Sequence, residues 1–150
     1  MDNAQGQLIF TLNHLIGVGR DGELSCMTGA REVHNAELRS ILTGTAEICR
    51  NSVTELQALV SSLGAVPRDR GTMTGTIHRG WMEVLYIIAP ENDDAVLQLC
   101  EREEEAARRE YRSALTRDMP EEIRSVVLRQ YEGMQKYHER IHAMRGMQIH

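Results

Sequence analysis

Three glutamates and one histidine interrupt apolar helical faces: Glu23, Glu55, Glu104 and His138. Glu104 is the clearest case, because it lies in a stripe of residues spaced by three and four positions whose other members are apolar or aromatic. This stripe contains Leu97, Cys100, Ala107, Tyr111 and Ala114. The spacing predicts one face of a helix. Four helices that each point one such group inward form a carboxylate-bridged metal site, so the four residues are candidate metal ligands.

The ligand set is incomplete for a di-iron centre. Iron takes several anionic oxygens, and two helices of a di-iron bundle usually supply Glu-x-x-His. Ala58 stands three residues after Glu55, Ala107 stands three residues after Glu104, and His138 has no acid three residues before it. The sequence therefore predicts either one weakly bound metal, iron or another divalent transition metal, or no metal.

Each candidate also has a structural interpretation, because charged groups are rarely buried without a partner. For Glu104 the alternative partner is an arginine or the Tyr111 hydroxyl. Glu55 lies nearer the edge of its stripe, where a glutamate reaches solvent. Glu23 competes with Asp21 for the inward position, and an acid there often serves as a cap.

Two histidines, His138 and His78, also allow either a functional or a structural interpretation. His138 either binds a metal or hydrogen-bonds Gln130 or Glu104. His78 either caps a short helix or reaches the bundle interior beside Glu104. The other acids near Glu104, including Glu101, are expected on a solvated outer face.

The composition favours a single all-α domain over residues 1–150. The chain is 41% hydrophobic and 4% aromatic, with three prolines. The net charge of −5 is mild, and its acids and bases are interspersed, so we expect no nucleic-acid partner and no membrane partner. No apolar run approaches the roughly 20 residues that cross a bilayer, and no basic signal-peptide start is present. The expected location is the cytoplasm.

Apolar periodicity predicts the first two helices. The first covers residues 7–33 and contains several glycines, which packing must compensate unless the helix breaks near Asp21-Gly22. The second begins at the N-cap Asn35 and stops at Gly64. The three cysteines, at positions 26, 49 and 100, are far apart in the sequence and lie in predicted helices, so they are interpreted as reduced core residues.

The sequence pattern of the second half of the chain predicts two more long helices. A short helix over 76–89 contains Trp81, the third long helix follows Asn92, and the fourth starts at Asp118. Short connections join the first pair and the second pair, whereas roughly 25 residues separate the pairs. This organisation predicts two antiparallel hairpins joined by a long crossover that carries the short helix.

Several motifs resemble a bacterial family of uncharacterised ferritin-like four-helix-bundle proteins, related to ferritins and rubrerythrins. The motifs are Leu12-Asn13-His14-Leu15-Ile16, Asp21-Gly22, His78-Arg79-Gly80-Trp81, Cys100-Glu101-Arg102 with Glu104, Gln130, and His138-Glu139-Arg140-Ile141. They span nearly the whole chain. Ser25-Cys26 departs from the family pattern, in which a glycine and an aromatic residue are usual. The resemblance implies a ferritin-like fold and no established activity.

Two functional hypotheses follow. The first is a ferritin-like metal-binding protein with a residual di-iron-type oxidase role in stress, which the missing Glu-x-x-His motifs disfavour. The second is a non-catalytic structural or interaction bundle with a metal-free buried polar network, and an enzyme is the less favoured outcome. The sequence identifies no substrate. A homodimer is expected, because apolar side chains lie on several sides of the crossover helix. These are Trp81, Tyr86, Ile87 and Ile88.

Overall fold

A computed structural model describes residues 3–72 and 93–149, with side chains to residue 144. It contains four helices and no strand in these ranges, which confirms the all-α prediction. The helices are α1 (Asn3–Glu32), α2 (Ala36–Ser62), α3 (Asp93–Leu115) and α4 (Glu121–Ile149). The predicted short helix with Trp81, and His78 beside it, lie outside the described residues.

The ends of α2 form as the sequence predicts. The Asn35 side chain accepts a hydrogen bond from the Leu38 amide at 2.8 Å, which satisfies one of the free amides of the first turn. Gly64 follows the helix at φ 84°, a left-handed conformation that favours glycine. The predicted start of α4 at Asp118 was three residues early, because the helix begins after Pro120, whose carbonyl accepts the first hydrogen bonds.

Packing compensates for the glycines of α1, which is unbroken through Gly22. A Cβ atom added at Gly19 would lie 2.6 Å from Val53 Cγ2 on α2, and one at Gly17 would lie 2.4 Å from Thr72 Cγ2. The missing side chains therefore allow α2 and the start of the crossover to approach the α1 backbone. This close contact offsets the low helix propensity of glycine.

Two apolar clusters fill opposite ends of the bundle and define its topology. The first comprises Cys26, Ala30, Val33, Leu38, Ile41, Leu42, Ala46, Val96, Leu97, Leu99, Cys100, Ile141 and Met144. The second comprises Leu8, Leu12, Leu15, Ile16, Val18, Val53, Leu56, Val60, Tyr111, Ala114, Ile123 and Val127. The first cluster combines the late parts of α1 and α4 with the early parts of α2 and α3. Helices α1 and α4 therefore run antiparallel to α2 and α3, and the crossover must traverse the bundle.

The crossover begins by running along α1. Three hydrogen bonds of 2.8–3.0 Å mark its path, and they join Gln5 to Leu63, Asn13 to Arg68 and Asp21 to Thr72. At the opposite end, the Asp93 carboxylate accepts hydrogen bonds from the amides of His34 and Asn35, each at 2.9 Å. Polar contacts with the α1 side of the bundle thus hold both described ends of the crossover, as the long-crossover topology requires.

Replacing Gly19 by alanine should destabilise the bundle. The added methyl group would clash with Val53 unless the helices separate, and overpacking of this kind costs about 1–3 kcal/mol. Gly44 is the matched control, since it is a helical glycine with no heavy atom within 4 Å of an added Cβ. Gly44→Ala should raise the free energy of unfolding by up to about 1 kcal/mol. Urea unfolding of both variants measures the difference, and equal stabilisation would contradict the close approach of α1 and α2.

Candidate functional site

The buried Glu104 and the partly exposed His138 form a pair between α3 and α4. Glu104 is 7% exposed, and its Oε2 lies 2.8 Å from His138 Nδ1. The two residues come together because antiparallel packing of α3 and α4 brings their middle turns level. The partner that the sequence left open for Glu104 is therefore His138, and the predicted inward position of Glu104 is confirmed.

The second oxygen of Glu104 faces an arginine one turn later on α3. Arg108 Nε lies 2.6 Å from Glu104 Oε1, but its N–H does not point along the line between the two atoms, so the contact is an ion pair without an aligned hydrogen bond. Arg108 also pairs with Glu105. Burial raises the pKa of Glu104, while His138 and Arg108 oppose that rise. Glu104 thus has a hydrogen-bond contact on Oε2 and an ion-pair contact on Oε1.

Glu23 lies between α1 and α2, with its side chain 13% exposed. Its two oxygens accept hydrogen bonds from Arg20 at 2.8 Å and from Arg50 at 2.7 Å. Burial raises the pKa of Glu23, but the hydrogen bonds from Arg50 and Arg20 outweigh it, so the pKa lies below its usual value of 4.5. The Glu23 charge is already neutralised by two guanidinium groups.

Glu55 belongs to a hydrogen-bond chain that crosses from α3 to α2 through α4. The Tyr111 hydroxyl donates to Gln130 Oε1 at 2.7 Å, and Gln130 Nε2 donates to Glu55 Oε1 at 2.8 Å. Arg129 binds the other oxygen of Glu55. Burial raises the pKa of Glu55, but these donors outweigh it and lower the pKa overall. Glu55 therefore lies at the edge of the bundle, and Gln130 extends its reach to the interior.

The four candidate ligands do not form one cluster. Glu104 contacts His138, whereas Glu23 and Glu55 each face arginines on other sides of the bundle. Within residues 3–72 and 93–149, no three histidine, cysteine, aspartate or glutamate side chains are placed to hold one metal ion. Their role as ligands stays a prediction. The expected outer position of Glu101 was wrong, because its side chain is only 17% exposed and lies 3.6 Å from His142.

A cavity of about 340 Å³ lies between the two apolar clusters, beside Glu104 and the hydrogen-bonded Tyr111 and Gln130. All four helices line it, largely with small or apolar groups, including Val18, Ser25, Cys49, Cys100, Ala107 and Met134. Asp21, Glu103 and Thr72 add polar groups. The middle of the bundle thus combines open volume with a few polar atoms, the usual composition of a small-molecule site.

The three cysteines converge on this cavity although they are far apart in the sequence. Cys26, Cys49 and Cys100 all line it, and all three are free thiols. Burial raises the pKa of Cys26 to about 11 and raises those of Cys49 and Cys100 further. Protonated thiols are poor nucleophiles and poor metal ligands. They act here as small, polarizable wall residues, in agreement with their interpretation as core cysteines.

Sequence reasoning named Asp21 as a competitor for the inward position, but it missed Ser25 and Glu103, which form the polar side of the cavity together with Asp21. Asp21 and Ser25 are four residues apart on α1, a spacing that places them on one helical face. That signal was available in the sequence. The approach of Glu103 from α3 was not, because it depends on how the two hairpins pack together.

Comparison with known protein families matches residues 7–117 to a domain of unknown function (DUF2383). The chain belongs to this family. The family match agrees with the resemblance drawn from the motifs. No curated protein matches the chain.

Comparison with solved structures supports the same fold. A mutant of Dps1 from Mycobacterium smegmatis superposes with a TM-score of 0.79, covering 97% of this chain and 99% of that one. The two sequences are 15% identical, so the likeness shows the fold alone. The protein is a ferritin-like four-helix bundle, as predicted. No helix among the described residues is both long and apolar enough to span a membrane.

Glu104→Gln should destabilise the protein. The variant leaves Arg108 and His138 without their anion, and a hydrogen bond to a charged group contributes about 1–3 kcal/mol. Glu139→Gln is the matched control, since Glu139 is exposed and next to His138 in the chain; its effect should stay within about 0.5 kcal/mol. Urea unfolding at neutral pH measures both. A Glu104 variant as stable as its control would contradict a structural role for the buried pair.

Protonation of Glu23 should contribute to the loss of the protein's stability in acid. Because its pKa is lowered in the folded state, its stabilising contribution is fully present above the usual carboxyl pKa and is lost as the pH falls through the folded-state pKa. In Glu23→Gln the free energy of unfolding should therefore fall less steeply with acidification than in the wild type. Unfolding midpoints measured from neutral to strongly acid pH test this, with the exposed Glu132→Gln as the control. Parallel pH profiles for Glu23→Gln and the wild type would contradict it.

Proposed function

We propose that this protein is a non-catalytic ferritin-like bundle, acting as a structural or interaction protein, in which arginines pair with the inner glutamates Glu23, Glu55 and Glu104. The observation that carries the proposal is the set of partners of the three candidate glutamates. Glu23 pairs with two arginines, Glu55 with Arg129 and Gln130, and Glu104 with Arg108 and His138. The positive charge that metal ions supply in a carboxylate-bridged site is supplied here by side chains.

These residues do not fit a di-metal centre. Such a centre needs carboxylates that converge and share two cations, and a guanidinium group next to each carboxylate repels a cation and occupies its oxygens. Only Glu104 and His138 approach each other, and Arg108 lies 2.6 Å from the same carboxylate. Redox turnover would also need open coordination positions, for which one carboxylate and one imidazole are too few.

Weak binding of a single divalent transition metal is the second candidate function. It is favoured by the 2.8 Å contact between Glu104 and His138, which places one oxygen ligand and one nitrogen ligand side by side. A metal there would have to displace Arg108 and complete its coordination with water. The arginine contact makes this the less favoured function.

The homodimer stays a prediction, because the crossover side chains on which it rests lie outside the described residues.

The three free thiols support the cytoplasm as the place of action, since reducing compartments keep cysteines unpaired.

Metal binding at equilibrium tests the proposed function. We expect untagged protein, dialysed against Fe(II) without oxygen or against Mn(II) or Zn(II), to retain well under one ion per chain by elemental analysis. Added Fe(II) should oxidise in air no faster than in buffer. The residual metal content should be the same in Glu104→Gln and in the exposed control Glu139→Gln.

One bound ion per chain, retained by Glu139→Gln but lost by Glu104→Gln and His138→Ala, would overturn the proposal in favour of the metal-binding function. Accelerated Fe(II) oxidation that depends on Glu104 would overturn it in favour of an oxidase.

A further inference from the structure

Two acids that line the cavity, Asp21 and Glu103, differ from the inner glutamates that pair with arginines. Asp21 and Glu103 form no ion pair with any described residue, whereas Glu23, Glu55 and Glu104 each face an arginine. Both oxygens of Asp21 accept hydrogen bonds from the backbone amide and the hydroxyl of Thr72. These two donors are neutral, so they leave the charge of Asp21 in place. Among the described residues, the cavity therefore has two lining carboxylates with which no cationic side chain forms an ion pair.

Glu103 approaches Asp21 across the cavity from α3. Burial raises the pKa of Glu103, and the nearby charge of Asp21 raises it further, while the Arg102 charge lowers it. Two like charges that share a partly buried site repel each other, and a cation between them removes the repulsion. This is the only side of the cavity, within the described residues, where two carboxylates without an ion pair meet.

Ser25 supplies a second, independent observation. It is 3% exposed, it lines the cavity, and its hydroxyl has no hydrogen-bond partner among the described residues. A buried hydroxyl without a partner is energetically unfavourable, and a serine within a helix would ordinarily bond to the backbone of the preceding turn. Ser25 lies one turn after Asp21 on the same face of α1. A polar group bound between Asp21 and Glu103 lies within reach of this hydroxyl.

The size and walls of the cavity restrict what it can hold. A dry apolar cavity of about 150 Å³ accommodates benzene, so about 340 Å³ leaves room for a ring with a short side chain. The small and apolar groups Val18, Ala107 and Met134 suit an apolar body. A metal ion does not fit this description, because two carboxylates do not make a ligand set and most of the cavity would stay empty.

We propose that the cavity binds a small organic ammonium ion, with its apolar body among the four helices and its charged nitrogen between Asp21 and Glu103, within hydrogen-bond reach of Ser25. The charge arrangement favours a primary amine over an alcohol or a carboxylate of the same size. This function is additional to the structural role proposed above and uses none of the arginine-paired acids.

Binding of three matched probes tests the proposal. The probes share an aromatic ring and differ in the charge of the polar end: phenethylamine, phenethyl alcohol and phenylacetate. Calorimetric titration of the full-length protein compares their affinities. We expect phenethylamine to bind on the order of tenfold or more tightly than the alcohol, as a charge-assisted hydrogen bond implies. Phenylacetate should bind most weakly, because its charge has the same sign as the site.

Three variants locate the site. Glu103→Gln should reduce the preference for the amine, because only Asp21 then remains as an anion, and should leave binding of the alcohol unchanged, which also shows that the cavity has formed. Ser25→Ala should weaken binding of the amine and of the alcohol to a similar degree. Ala107→Leu should abolish binding of both probes by filling the cavity. The exposed Glu132→Gln should behave as the wild type.

The proposal is overturned if the alcohol binds as tightly as the amine, or if neither probe binds to folded protein. It is also overturned if the preference for the amine is as large in Glu103→Gln as in the wild type, because the ammonium group would then lie elsewhere.

Discussion

The Glu104 carboxylate lies in the middle of a helical bundle, where water cannot solvate its charge. A carboxylate in that position needs positive or polar partners, because its desolvation costs several kcal/mol even after the surroundings relax. Arg108 supplies one partner from the same helix and His138 supplies the other from the neighbouring helix. The need to neutralise this one charge fixes the register of α3 against α4, and it separates the two apolar clusters by a polar layer.

The same physical requirement is met in a similar way elsewhere in the bundle. Glu23 joins α1 to α2 through Arg20 and Arg50, and Glu55 joins α2 to α4 through Arg129 and Gln130. A ferritin-like arrangement of inward acids can be stabilised either by shared cations or by side-chain donors. In this bundle side-chain donors contact all three glutamates, and some of these contacts join neighbouring helices. Asp21 and Glu103 are the exception, and they lie where the bundle has open volume.

The open volume has a local cause. Gly22 of α1 and Gly133 of α4 line the cavity and carry no side chains that could fill it, and its thiol-bearing wall residues are small. The glycines of α1 also let α2 and the crossover approach closely, so the helix packs tightly on one side and leaves space on the other. A cavity of this size lowers stability unless a ligand occupies it, because wall atoms lose contacts. A ligand of the kind proposed above would restore these contacts.

Local rules of sequence determined the helices and their ends. The apolar period, the Asn35 cap and the left-handed Gly64 act over a few residues, so the sequence alone predicts them, and connection lengths then predict two hairpins with a long crossover. The inward position of Glu104 follows from the same period. The start of α4 was less secure, because Asp118 and Pro120 both offer an initiation signal and the competition is decided by packing.

Only the tertiary structure decided which charges meet. Arg50 is 27 residues from Glu23, and Arg129 is 74 residues from Glu55, so no local pattern could assign these arginines to these acids. The convergence of three distant cysteines, and of Asp21 with Glu103, has the same origin. A helix determines which face a residue occupies, whereas the neighbour across that face depends on the rotation and register of two packed helices, which the side chains of the whole core set together.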